Sequence, residues 1–108
     1  MPERDAVLFA NEAFYRAFAD GDFDTMAQLW ATAEPVTCIH PGWPPLTGRD
    51  SVIESWQRIL GNDQGPKITC VQPEAFIVGD VAFVICYEAV DDNALVATNL
   101  FRREGRQW

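Results

Sequence analysis

An α+β fold, with helices ahead of an antiparallel sheet, is what this sequence predicts, and three observations predict it. Apolar residues recur at spacings of three and four as far as Leu60. Beyond Leu60 they alternate as in strands, in runs broken by short turn signals. At the switch lies the stretch Val36-Thr37-Cys38-Ile39-His40-Pro41-Gly42-Trp43-Pro44-Pro45-Leu46-Thr47-Gly48, which holds three of the seven prolines and the only histidine. Functional side chains favour loops carried on rigid scaffolds, so this loop is where a site is expected. At 108 residues the chain fits a single domain spanning 1–108.

A first helix is expected over 3–19, where Val7, Leu8, Phe14, Tyr15 and Phe18 fall near helical spacing and Arg4, Glu12 and Arg16 fall between them. Asp20-Gly21-Asp22 ends it, because glycine past the last turn adopts the left-handed conformation of a helix stop and Asp22 can cap the next helix. That second helix, over 23–30, is short and turns Met26, Leu29 and Trp30 inward. A strand over 36–40 places Cys38 and His40 on one face. Gly48-Arg49-Asp50-Ser51 starts a third helix carrying Val52, Ile53, Trp56, Ile59 and Leu60. The breaker run Gly61-Asn62-Asp63-Gln64-Gly65-Pro66 stops it.

Strands over 67–78, 81–90 and 95–103, joined by Gly79-Asp80 and Asp91-Asp92-Asn93, make an antiparallel meander. Pro73 requires an edge position or a bulge, since it has no N–H to give the ladder. Cys86 and Glu88 share a face of the second strand, as do Ala97, Asn99 and Phe101 of the third. Glu104-Gly105-Arg106-Gln107 reads as another hairpin turn and Trp108 as the opening of a further strand, so the natural chain is expected to continue past Trp108, with its final strand truncated here.

The formal charge of −8 argues against nucleic acid or an anionic membrane as a partner, since phosphate binding needs basic patches. Arg102, Arg103 and Arg106 cluster, but around Glu104, which is the pattern of a solvated turn. No apolar run approaches a membrane span and the N-terminus lacks a leader pattern, so the cytoplasm is the expected location. Cys38, Cys70 and Cys86 are odd in number and widely spaced, which supports neither a disulfide framework nor a zinc site; free thiols in apolar runs fit a reducing compartment.

Several motifs together carry a resemblance. They are Phe14-Tyr15-Arg16-Ala17-Phe18-Ala19-Asp20-Gly21-Asp22-Phe23-Asp24, Met26, Leu29-Trp30, the loop Val36-Thr37-Cys38-Ile39-His40-Pro41-Gly42 with Leu46 and Gly48-Arg49, then Ser55-Trp56, Cys86, Glu88 and Ala97-Thr98-Asn99-Leu100-Phe101. From about Ala6 to Trp108 the chain resembles the SnoaL-like branch of the nuclear transport factor 2-like superfamily. The resemblance implies a cone-shaped, cystatin-like α+β fold, with three N-terminal helices packed on a curved antiparallel sheet. It also implies a small-molecule pocket at the open end and a homodimer through the sheet face. The superfamily holds steroid isomerases, dehydratases, epoxide hydrolases and polyketide cyclases beside members that only bind, so fold alone does not give the function. With the Gly21-Asp22 turns in register, the isomerase tyrosine falls at Phe14, its base at His40-Pro41 and its protonated Asp near Ala97 to Asn99. None of those three groups is retained, which argues against steroid isomerisation.

His40 is the sharpest catalytic candidate, because an imidazole exchanges protons near neutrality; its bland counterpart is a buried, hydrogen-bonded histidine. Glu88 and Asn99 project to the same side, where the carboxylate could orient His40 or act as a second acid or base and the amide could donate to an oxyanion. Tyr15, Trp30, Trp43, Trp56 and Tyr87 supply aromatic walls for an apolar ligand, with Trp43 placed as a lid; core packing is the competing reading for most of them. A Cys38–His40 nucleophile pair is conceivable at about 7 Å between Cα atoms. No metal cluster, dinucleotide loop or nucleophile elbow is present in the sequence, so no cofactor is expected. Two functions follow: a cofactor-free acid–base enzyme of lyase, isomerase or hydrolase type on a small apolar organic molecule, or a non-catalytic binding or dimerisation module.

Overall fold

The computed structural model describes residues 2–62, 65 and 67–108. Met1 and, from the expected breaker run, Asp63, Gln64 and Pro66 lie outside the described residues. Helix α1 (Glu3–Asp20) ends at Gly21, whose φ of 67° lets Asp22 N–H return to the Ala17 carbonyl at 2.9 Å. Asp22 then caps α2 (Phe23–Leu29): its carboxylate accepts from Thr25 N–H at 3.1 Å and from the Thr25 hydroxyl at 2.7 Å.

Strand β1 (Thr37–Cys38) pairs antiparallel with β2 (Leu46–Thr47), a strand absent from the sequence reading. The expected strand over 36–40 is thus shorter, and His40 lies beyond it, with Pro41 following directly, in a turn closed by Trp43 N–H on the His40 carbonyl at 2.9 Å. Helix α3 (Arg49–Leu60) starts at Gly48, φ 103°. The Glu34 carboxylate ties this region together, accepting from Val36 N–H at 2.9 Å and from Arg49 N–H, a helix-start donor, at 2.8 Å.

Strands β3 (Ile68–Val78), β4 (Val81–Val90) and β5 (Asn93–Arg102) form the expected meander. Pro73 sits on the edge strand β3, where the register shifts between Val71 and Glu74. Alternation places Ala75, Ala82, Val84 and Cys86 against the helices, all buried. The opposite face carries Val71, Phe76, Val78, Val81, Ile85, Tyr87, Val96 and Leu100, all exposed.

The cone expected from the resemblance is not what the chain forms. The α+β class and the antiparallel meander hold, but the strands make two separate sheets, and the larger one is neither closed nor strongly curled. The physical reason is in the ladder. Curling needs repeated bulges or closure, whereas β4 and β5 pair without interruption from Val81–Arg102 to Val90–Asn93, and among the described residues no strand joins β5 to the β1–β2 hairpin. Nor do the three helices lie side by side on the sheet. Val7 of α1 packs with Ala75, Ala82 and Val84, while Ala17 packs with Met26 of α2, Val36, and Val52 and Trp56 of α3. Helix α1 is therefore shared between a sheet core and a helical core.

Candidate functional site

Val7, Asn11 and Tyr15 follow one another at four-residue spacing on α1 and are buried toward the sheet. Two of the three are polar, and both have partners. The Tyr15 hydroxyl donates to Glu88 Oε2 at 2.5 Å, a short charge-assisted bond. Asn99 Nδ2 donates to the Tyr15 oxygen at 3.0 Å and to Asn11 Oδ1 at 2.8 Å. Cys86 Sγ stands 3.4 Å from the Tyr15 oxygen, and Asn11 Nδ2 donates to Cys70 Sγ at 3.6 Å.

Burial, then the bonds to Cys86 and Glu88, push the Tyr15 phenol well above its ordinary value, against the opposing effect of Asn99. Burial and the neighbouring Cys86 push the Cys70 thiol up to about 12. At neutral pH both are protonated donors rather than nucleophiles. Asn11, Tyr15 and Cys70 also line a groove of about 760 Å³ between α1 and the start of β3, whose apolar walls include Leu8, Phe9 and Ile68.

His40 belongs to a second group. Its Nε2 lies 2.8 Å from Ser55 Oγ, and Ser55, fully buried, gives its own proton to the Val52 carbonyl at 2.6 Å. The imidazole is therefore the donor, and Ser55 orients it rather than serving as a nucleophile. The ring meets Trp56 edge-on at 4.8 Å and Trp43 at 4.9 Å, and burial lowers its pKa. Cys38 Sγ lies 3.7 Å from Nε2, yet burial pushes that thiol up to about 11, so no thiolate–imidazolium pair forms.

Of the three catalytic candidates, then, Glu88 and Asn99 meet through Tyr15, and His40 hydrogen-bonds elsewhere. The aromatic candidates divide as well. Trp30 and Trp56 pack with Phe14 and Phe18 in the helical core. Trp43 covers His40 and is itself capped by the Arg58 guanidinium at 5.8 Å. Tyr87 points to the outer sheet face, 47 % exposed, because Cys86 and Glu88 on either side of it point inward. Asn11 and Ser55 were missed. Asn11 could have been found from its place midway between Val7 and Tyr15; Ser55 had no signal beyond its motif. Among the described residues no three His, Cys, Asp or Glu side chains gather as a metal site.

The SnoaL-like domain family matches residues 7–108. F-box protein SKIP8 from Arabidopsis thaliana is 30% identical over 105 residues, covering 95% of this chain and 46% of that protein. The chain thus spans about half the length of the curated relative it matches. Among solved structures, a candidate dehydratase of the NTF2-like family from Streptomyces avermitilis is 35% identical with a TM-score of 0.87, covering 98% of this chain and 88% of that one. A candidate calcium/calmodulin-dependent protein kinase type II association domain from Thiobacillus denitrificans is 32% identical with a TM-score of 0.75, covering 92% and 84%. With most of its length matched by the family and its helices and meander shared with these structures, the chain belongs to the SnoaL-like domain family, within the NTF2-like superfamily.

Proposed function

We propose that this domain binds a small, largely apolar organic molecule and acts on it, without a cofactor, by general acid–base chemistry of lyase, isomerase or hydrolase type. The observation that carries the reading is the Tyr15–Glu88–Asn99 cluster, a half-buried carboxylate bonded to a phenol that an amide also contacts. Glu88 is the proton-transfer group, Tyr15 relays to it, and Asn99 fixes the polar group of the ligand. His40, neutral and held by Ser55, is a second proton carrier beneath the Trp43 lid. The likeness to a candidate dehydratase favours the lyase class among the three.

Native mass spectrometry of protein purified from its source, compared with the denatured protein, tests the binding step. A retained organic molecule, absent from Asn99→Ala prepared in the same way, is the expected result; an empty wild-type protein counts against the reading.

A second reading, a non-catalytic binding or dimerisation module, draws on the exposed apolar outer face of the sheet and on the likeness to a candidate kinase association domain. In either case a homodimer through that face is the proposed assembly. Among the described residues no helix is long and apolar enough to cross a membrane, and the three free thiols fit a cytoplasmic setting.

A further inference from the structure

We infer that the molecule received by the Tyr15–Glu88–Asn99 cluster carries a protonated amine on an apolar body, an inference that rests on the binding reading above. The argument is a count of donors and acceptors. The single proton of Tyr15 goes to Glu88 Oε2, and its oxygen accepts from Asn99 Nδ2. The other N–H of that amide goes to Asn11 Oδ1, and Asn11 Nδ2 turns to Cys70. What Glu88 and Asn99 have left is two acceptors, Glu88 Oε1 and Asn99 Oδ1. Neither is sealed in: among the described residues, the buried side-chain N and O atoms without a partner are the indole nitrogens of Trp30 and Trp56.

Charge points the same way. Among the described residues the ion pairs engage Glu3, Glu12, Asp80 and Glu104, and no cationic side chain pairs with Glu88. The Glu88 carboxylate thus has no counter-charge of its own, and a bound ammonium supplies one. An anion would meet two acceptor oxygens in a chain of net charge −8. An alcohol can engage only one of them with its single O–H, whereas an ammonium has N–H groups for both. The groove that Asn11, Tyr15 and Cys70 line beside the cluster, with Leu8, Phe9 and Ile68 as apolar walls, has room for the apolar body, and Arg16, which also lines it, is already paired with Glu12 at 3.0 Å.

Benzylamine, benzyl alcohol and benzoate share one ring and differ in the polar group. Each is titrated into the whole protein and into Glu88→Gln, following the side-chain amide signals of Asn11 and Asn99 by NMR. Benzylamine is expected to bind at least about tenfold more tightly than the alcohol, benzoate to leave the amides unmoved, and Glu88→Gln to erase the preference for the amine. If the alcohol or benzoate binds as well as the amine, or if Glu88→Gln keeps the preference, the amine assignment falls and the pocket stands. If none of the three moves either amide, the binding reading falls and takes the inference with it. Should Glu88→Gln not fold, the rank order on the wild-type protein decides the question alone.

Discussion

Tyr15 holds its cluster together: its one hydroxyl is bonded to Glu88 and Asn99 and touches Cys86. Tyr15→Phe keeps the ring and strands both polar partners, so it is expected to destabilise the fold by about 1–3 kcal/mol in urea denaturation. Two other residues give the acid limb of stability its shape. The folded-state pKa of His40 lies below its ordinary 6.5, so the folded state resists a proton that the unfolded chain accepts, and stability falls as pH drops below 6.5. Glu104 is held at about 2, against an ordinary 4.5, first by the backbone N–H groups of Thr32 and Ala33; its contribution is intact above 4.5 and is lost as pH falls toward 2. Urea midpoints measured against pH should therefore decline in two steps, with His40→Gln removing the upper and Glu104→Gln the lower. Strand alternation was enough to place Glu88 and Asn99 on one face in the sequence. It could not join His40 to them, because prolines rather than a strand set the position of that residue. Glu104 looked like part of a solvated turn because its partners lie 71 and 72 residues away.

Among the elements, α2 depends most on its neighbours. It has seven residues, too few to hold a helix by propensity, and its last carbonyls need donors. Arg49 supplies them from the start of α3, donating to the carbonyls of Ala27 at 3.0 Å, Trp30 at 3.0 Å and Ala31 at 2.9 Å. Arg49→Ala is expected to cost about 2–3 kcal/mol, as charged hydrogen bonds do. Arg49→Lys should recover less than half of that, since an ammonium cannot span three carbonyls as a planar fork does; chemical denaturation of the pair checks both. Helix and strand boundaries were largely legible, because Gly21, Asp22, Gly79 and the change of period mark them locally. Strand β2 was not, since two residues after Pro44-Pro45 are too few to display an alternation. The clamp by Arg49 was hidden too, its acceptors being backbone atoms that no sequence pattern advertises.

Across the whole molecule, apolar periodicity and turn signals supplied the helix-and-meander order, and the resemblance overstated the closure. Cone shape is a property of how strands meet at a distance, and the local pattern of β4 and β5 encodes only that they pair. The open sheet leaves Ile85, Val96 and Leu100 of its outer face 41%, 68% and 74% exposed, an apolar patch that a second copy would cover. Wild-type protein is expected to sediment as a dimer, and Val96→Glu with Leu100→Glu to sediment as a folded monomer. A wild-type monomer at micromolar concentration would remove the dimer.

Phe14 and Tyr15 are consecutive on α1, their rings 4.9 Å apart, one packed on Trp56 in the helical core and the other bonded to the sheet. Their backbone cannot rotate for one without rotating for the other. Any tilt of α1 therefore shifts the aromatic packing around Trp56, which also touches His40. If the Tyr15 cluster takes a ligand, hydrogen exchange is expected to report its occupancy on α3 as well as on the sheet.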